Sequence, residues 1–173
     1  MKELSAITKC CVWIWSALII LAVSGCSSSP ARYSPPAGPG PQTVFIAERD
    51  YQTTWNALMR ALEQTTDAEI WYKANEEGKV TLRDAEVPVF RNCLCGTVGD
   101  APLRGLVLRS VTIDLGREAP QLTRIRIQCS YKLPFSWPNV YGRSSMQQDI
   151  ECISTGRFEQ ELFDRTARFL YPQ

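Results

Sequence analysis

The sequence predicts an α+β domain: a single antiparallel sheet of about four to five strands, packed against an N-terminal and a C-terminal helix and stapled by disulfides. Three observations lead to this prediction. An amphipathic helical pattern stands near each end of the domain, segments of alternating polarity lie between the two, and four cysteines fall among those segments. Because a sheet with one apolar face must be covered, we expect the two helices to pack on that face.

The first 25 residues have the features of a signal peptide. Lys2 and Lys9 form a short basic region, and an apolar run from Val12 to Val23 follows it. This run is shorter than the roughly 20 apolar residues that a membrane-spanning helix needs, so a permanent transmembrane helix is disfavoured. We therefore expect everything after this segment to be exported from the cytoplasm.

The apolar run leads into the motif Val23-Ser24-Gly25-Cys26. It resembles the lipobox of bacterial lipoproteins, whose cysteine receives acyl chains such as palmitate and becomes the first residue after cleavage. The resemblance implies a lipoprotein signal peptide over residues 1–25 and a lipid anchor at Cys26. Ser27, which is not acidic, implies the outer membrane, with the domain facing the periplasm. The alternative is an ordinary secretory signal that is cleaved near Gly25 and leaves Cys26 unmodified.

Residues 26–43 are predicted to form the lipid anchor and a linker. Five Pro, four Ser and two Gly occupy 11 of the 17 positions from Ser27 to Thr43. Such a segment buries too little apolar area to fold, and Pro-rich chains extend by about 3 Å per residue. The remaining residues, 44–173, are enough for a single domain with its own core.

Charge and composition exclude several classes of function. Loss of residues 1–25 removes Lys2, Lys9 and Glu3, so the 19 basic and 18 acidic residues of the chain become 17 of each. The basic residues are scattered, unlike those of a nucleic-acid-binding surface. The chain contains no histidine, which excludes a Ser-His-Asp or Cys-His catalytic unit and any His-ligated metal site within it. We therefore predict no catalytic residue, no metal ligand, no cofactor and no nucleic-acid partner.

The first half of the domain contains a helix and a hairpin. Residues 43–47 form a short apolar strand, and Asp50 is placed to cap the helix that follows. That helix, predicted to end near Gln64, carries an apolar stripe at helical spacing: Tyr51, Trp55, Leu58 and Leu62. Residues 69–83 alternate in polarity on both sides of a turn at 75–78, which predicts a β-hairpin. We expect Trp55 to belong to the core.

The second half predicts a long connection, a second hairpin, a loop and a helix. Residues 84–104 are expected to be a connection, and 105–115 a strand with a bulge near Ser110, where the apolar parity changes. Residues 122–133 alternate cleanly and pair with that strand through the loop 118–121. A long loop is predicted over 134–151, and a last helix from Ser154 or Thr155.

Two short segments carry a further resemblance. Trp55-Asn56-Ala57-Leu58 opens the first helix and Gly156-Arg157-Phe158-Glu159 the last. With the order of elements, they resemble the helix-grip modules of bacterial envelope lipoproteins, such as the C subunit of the outer-membrane β-barrel assembly machinery. The resemblance implies the same α+β fold. Four cysteines depart from that family's pattern, so no partner is transferred.

The four cysteines of the domain predict two disulfides. They are Cys93, Cys95, Cys129 and Cys152. A bridge between Cys93 and Cys95 would close a very tight ring, so each of these is expected to pair with Cys129 or Cys152, in either connectivity. The alternatives are a four-thiolate zinc or iron–sulfur site, and free or redox-active thiols.

Two carboxylates and three aromatic residues are further candidates for functional sites. Glu159 and Glu161 are predicted to be solvated charges on different faces of the last helix. Aromatic residues outside any helical or strand period, in the region 134–151, are predicted to contact a partner: Phe135, Trp137 and Tyr141.

The sequence as a whole predicts a lipoprotein that acts without catalysis. We expect a component of an envelope assembly or transport complex, held to a membrane by Cys26 and bound to an envelope protein. The alternatives are a small thiol–disulfide redox protein that uses Cys93 and Cys95, and a carrier of an apolar ligand.

Overall fold

The computed structural model describes residues 32–172 apart from residues 39, 42, 67 and 137–146. Strands take up 48% of the described residues and helices 24%. The elements in chain order are β1 (Tyr33–Ser34), β2 (Val44–Ala47), α1 (Tyr51–Glu63), β3 (Ile70–Ala74), β4 (Lys79–Leu82), β5 (Ala85–Pro88), α2 (Val89–Asn92), β6 (Cys93–Leu94), β7 (Thr97–Val98), β8 (Ala101–Pro102), β9 (Leu106–Ala119), β10 (Leu122–Ser136), β11 (Gln147–Ser154) and α3 (Arg157–Leu170).

The described strands form two sheets, one of eight strands and one of three. The larger runs in the order β3-β4-β9-β10-β11-β6, with β2 also paired to β10 and β5 to β9; the smaller is β1-β7-β8. The prediction of a single sheet of four to five strands is therefore wrong. The strands that were missed between residues 85 and 102 are only two to four residues long. Alternation of polarity cannot be recognised over so few positions.

β9 and β10 form the central hairpin of the larger sheet. They pair in one continuous antiparallel register from Arg117 opposite Thr123 to Leu108 opposite Lys132. The bulge predicted near Ser110 does not exist, and the only irregularity between these strands lies at the turn, beside Leu122. The apolar residues shift from even to odd positions because the odd positions are buried throughout 107–115. The buried residue at this point is Arg109, whereas Leu108 faces outward.

The two predicted helices pack on the apolar face of this hairpin, but they cover only one half of it. Asp50 caps α1, its side chain accepting a hydrogen bond from the Thr53 N–H. The inner faces of α1 and α3 pack with the sheet into one apolar cluster, in which Leu58 and Ile127 are fully buried. Trp55 lies in this core, which confirms the prediction. Among the described residues, no helix is long and apolar enough to cross a membrane.

A second apolar cluster covers the other half of the hairpin. It is built mainly by the segment from β5 to β8, which was predicted to be a connection, together with β11: Val87, Val89, Cys93, Cys95, Val107, Tyr131, Leu133 and Ile150. Tyr33 of β1 packs against this cluster. β1 also pairs with β7, so the domain begins at Tyr33, within the predicted linker.

β11 begins within the predicted loop 134–151. β10 runs on to Ser136, and Phe135 stands opposite Gln148 of β11. Residues 134–136 and 147–151 are therefore strands and not loop, residues 137–146 lie outside the described part of the chain, and α3 follows β11 after Gly156, close to the predicted start.

Gly78, in the turn between β3 and β4, allows the hairpin to approach β9. Its φ is +66°, and its carbonyl accepts a hydrogen bond from the Leu115 N–H at 2.6 Å. A Cβ at this position would lie 2.2 Å from the Leu115 carbonyl oxygen. Both the backbone conformation and the space therefore require glycine.

We predict that Gly78→Ala lowers the free energy of unfolding by about 1–3 kcal/mol or more, since it adds a backbone clash to a left-handed conformation. Denaturant unfolding with the disulfide intact measures this change. Gly40→Ala is the control, because a Cβ there meets nothing within 4 Å. Equal stability of the two variants would contradict the close approach.

Candidate functional site

Strand register brings three cysteines together at one end of the sheet. β6 pairs with β11 so that Cys93 lies opposite Ser154 and Leu94 opposite Ile153. The next step along this register places Cys95 opposite Cys152, and their Cα atoms are 4.3 Å apart. Residues two apart on a strand share a face, so the Cys93 side chain lies on the same side as that of Cys95.

Cys95 and Cys152 form a disulfide, one of the two bridges that were predicted. It joins residues 57 positions apart, a loop for which the chain-entropy model gives about 4 kcal/mol of stabilisation. The second predicted bridge is absent, because Cys93 and Cys129 carry free thiols. Cys93 lies in the second apolar cluster beside the disulfide, whereas Cys129 lies on β10 where the two clusters meet.

The free thiol of Cys93 lies within reach of the disulfide, 3.8 Å from the sulfur of Cys95. Attack of a Cys93 thiolate on that sulfur would form a Cys93–Cys95 bond and release Cys152 as a thiolate. Cys93 is fully buried, however, and this burial raises the pKa of its thiol to about 11. The reactive thiolate is therefore scarce at neutral pH.

The same three sulfur atoms, those of Cys93, Cys95 and Cys152, all lie within 4.8 Å of one another. Cys129 is not part of this group, so the described residues do not form a four-thiolate site. With two of the three sulfurs joined to each other, the group offers a single thiol. In this state the group is a disulfide with one buried thiol beside it.

An apolar cleft of about 640 Å³ opens beside the cysteines; we call it the cysteine cleft. Cys93 and Cys95 line it together with apolar side chains: Pro36, Ala37, Val89, Phe90, Leu94, Pro102 and Leu103. Its volume falls in the range of small-molecule sites. Phe90 is 76% exposed and Leu94 53% exposed, so the rim of the cleft presents apolar surface to solvent.

Gly96 joins the cysteine segment to β1 on one wall of this cleft. Its φ is +84°, and a Cβ there would lie 2.2 Å from the carbonyl oxygen of Ser34. The Gly96 carbonyl also accepts a hydrogen bond from the Leu103 N–H at 3.0 Å. Residues 33–37, in the middle of the predicted linker, are thus part of the site.

Charged and polar side chains cluster beneath α3, next to Cys129. Glu159 is fully buried and accepts a hydrogen bond from the Ser154 hydroxyl at 2.7 Å. Its position in the first turn of α3 also favours its negative charge. Burial, and then the Glu159 carboxylate, raise the pKa of the Cys129 thiol far above its usual range.

Two further members complete this buried polar cluster. Burial is also the main cause that raises the pKa of the Tyr131 hydroxyl. Arg109 is 4% exposed and holds its guanidinium 4.1 Å from the centre of the Phe158 ring. Its charge offsets only a small part of the rise in the pKa of Cys129 that burial and Glu159 cause. The cluster keeps Cys129 and Tyr131 protonated at neutral pH.

The structure corrects the prediction for Glu159. Glu161 is exposed and forms an ion pair with Arg157, as predicted for a solvated charge, but Glu159 is not solvated. Sequence reasoning also missed Arg109. The signal available in the sequence was the shift of the apolar residues from even to odd positions along β9. That shift predicted a bulge, whereas its cause is the burial of Arg109.

Of the remaining predicted site residues, one lies in the described part of the chain and three do not. Cys26, Trp137 and Tyr141 lie outside the described residues, so their roles stay predictions. Phe135 is half-buried and packs against the second apolar cluster. Part of its ring is therefore taken up by the domain itself.

Comparison with known protein families gives no match to this chain. None of the curated proteins matches it either.

We predict that iodoacetamide labels Cys93 slowly in the native protein at pH 8, with a rate that rises until about pH 11. A pKa two units above the ordinary value makes the thiolate about a hundredfold scarcer at pH 8. Peptide mass spectrometry after a timed quench gives the rate, and the protein unfolded with its disulfide intact is the control. A native rate that levels off near pH 9 would contradict this prediction and favour redox activity.

Proposed function

We propose that this chain is a lipoprotein anchored to the outer membrane through acylated Cys26, facing the periplasm and acting without catalysis in an envelope assembly or transport complex. The observation that carries the proposal is the motif Val23-Ser24-Gly25-Cys26 at the end of an apolar leader. One acyl chain holds a protein only marginally on a membrane, whereas several make attachment stable. The anchor thus accounts for the leader and its cysteine together.

The position of β1 supports a short tether. Seven residues lead from Cys26 to Tyr33, where the fold begins, and they reach at most about 25 Å. β1 stands beside Gly96 on a wall of the cysteine cleft. An anchor at Cys26 would therefore leave a tether of these seven residues, shorter than the predicted linker 26–43.

Exposed apolar side chains near the cleft support a role in a complex. Phe90 is the second residue of α2, and Leu106 of β9, 55% exposed, stands opposite Pro88, the residue that precedes α2. Large apolar side chains exposed near an apolar cleft are what a surface that contacts another molecule offers. The predicted partner contacts, Phe135, Trp137 and Tyr141, belong to the same proposal.

We predict that Cys26→Ser abolishes acylation and membrane attachment while leaving the stability of the domain unchanged. Residue 26 lies outside the described domain, so no described contact is lost. Mass spectrometry of the N-terminal peptide and fractionation of membranes measure the two effects. Cys129→Ser is the control, since it removes another free thiol without touching the leader. An unmodified N-terminal peptide in the wild-type protein would favour an ordinary secretory signal.

We predict that the double variant Trp137→Ala and Tyr141→Ala abolishes co-purification of the envelope partner without changing the melting temperature. Full-length protein tagged at Gln173 is extracted in mild detergent, and co-eluting proteins are identified and quantified. The double variant Trp71→Ala and Tyr72→Ala is the matched control, because it removes two exposed aromatic rings elsewhere. A partner that both variants retain at wild-type stoichiometry would contradict the proposed contact.

The cysteine cleft favours a second function, carriage of an apolar ligand. Its walls are mainly apolar and its volume suits a small molecule. The same extraction separates the two functions. A protein that elutes without partners but with a stoichiometric apolar compound, detected by mass spectrometry, would support carriage instead of membership in a complex.

A further inference from the structure

We propose that a pocket between α2 and α3, separate from the cysteine cleft, binds a phosphate group. The pocket encloses about 230 Å³, and we call it the arginine pocket. It is lined by the turn after α1, the end of β5, α2, β9 and the outer side of α3. Four arginines reach it from three of these elements: Arg91, Arg109, Arg157 and Arg165.

The charge of this pocket differs sharply from that of the chain. The whole sequence has a net charge of +1. Among the described lining residues, four guanidinium groups face a single carboxylate, that of Glu161. Like charges held close together repel each other, and an anion placed among them reverses the sign of that energy. The pocket therefore favours an anion.

Three of the arginines are held in place by the fold. Arg109 is buried and stacks on the Phe158 ring. The Nη1 of Arg165 donates a hydrogen bond to the Gln64 carbonyl oxygen at 2.5 Å. The Nε of Arg157 donates one to Glu161 Oε1 at 2.8 Å. A guanidinium carries five N–H donors, so the printed contacts of Arg157 and Arg165 each leave further N–H groups that can reach an anion.

The fourth, Arg91, is exposed at the end of the short helix α2. Its guanidinium lies 5.8 Å from the centre of the neighbouring Phe90 ring. Binding sites whose donors are already positioned lose little conformational freedom when they bind. The pocket thus combines arginines whose guanidinium groups already make contacts within the fold with one, Arg91, that is exposed.

Phosphate matches this arrangement in both charge and shape. Its tetrahedral oxygens accept hydrogen bonds on several sides, whereas a carboxylate offers two oxygens in one plane. Guanidinium groups bind phosphate in bidentate geometry, with short, charge-assisted hydrogen bonds. The phosphate belongs either to a free phosphate ion or to the diester of a lipid headgroup. The inference does not depend on the lipid anchor.

The test measures the melting temperature of the full-length protein in nonionic detergent at constant ionic strength. One arm adds inorganic phosphate, and the other replaces part of the micelle with phosphatidylglycerol, compared with an equal amount of neutral lipid. A ligand that binds the folded state raises the melting temperature in proportion to its affinity. Stabilisation by inorganic phosphate supports a free-phosphate site, and stabilisation by the anionic lipid alone supports a headgroup site.

Matched variants decide whether the arginine pocket is responsible. Arg91→Gln and Arg165→Gln should each raise the dissociation constant about tenfold or more, since each removes a charge-assisted hydrogen bond. Glu161→Gln should lower it severalfold, because it removes the carboxylate and releases Arg157. Arg126→Gln, an exposed arginine on β10 away from the pocket, should leave it unchanged. The proposal is overturned if neither ligand stabilises the wild type, or if Arg126→Gln weakens binding as much as Arg91→Gln.

Discussion

The length of the hairpin formed by β9 and β10 is the constraint on which the rest of the structure depends. Strands of 14 and 15 residues span about 45–50 Å, whereas α1 and α3, with 13 and 14 residues, span about 20 Å. Two helices therefore cover only one half of the apolar face. The segment from β5 to β8, whose elements are only two to four residues long, covers the other half, and the Cys95–Cys152 disulfide fixes it to β11.

The interior becomes polar where the half of the hairpin under α1 and α3 meets the half under the segment from β5 to β8. Arg109 and Glu159 are both buried here, beside Cys129 and Tyr131. Charges buried this deeply are costly unless other groups compensate them, and the Ser154 hydroxyl and the start of α3 stabilise Glu159. Arg109 also lines the arginine pocket. A single buried cation thus connects the core of the domain with a surface site.

The segment from β5 to β8 has several features that bear on function. It carries the disulfide, one wall of the cysteine cleft and the exposed ring of Phe90, and α2 lines both the cleft and the arginine pocket. β1, the first described strand after the proposed anchor, pairs with β7 of this segment. The cysteine cleft and the arginine pocket thus share α2 as a wall. The two surfaces suit contacts of opposite chemistry on neighbouring parts of one domain.

By itself the sequence determined α1 and α3, the hairpin of β3 and β4, the pairing of β9 with β10 and the core position of Trp55. These follow from periodicity and local chemistry, which act over a few residues. Only the tertiary structure decided the eight-stranded sheet, the choice of Cys152 for Cys95, and the burial of Arg109 and Glu159. Each of these depends on which distant strands become neighbours. From the sequence alone, a charged residue is predicted to be solvated. Only the packing around it shows whether it is buried.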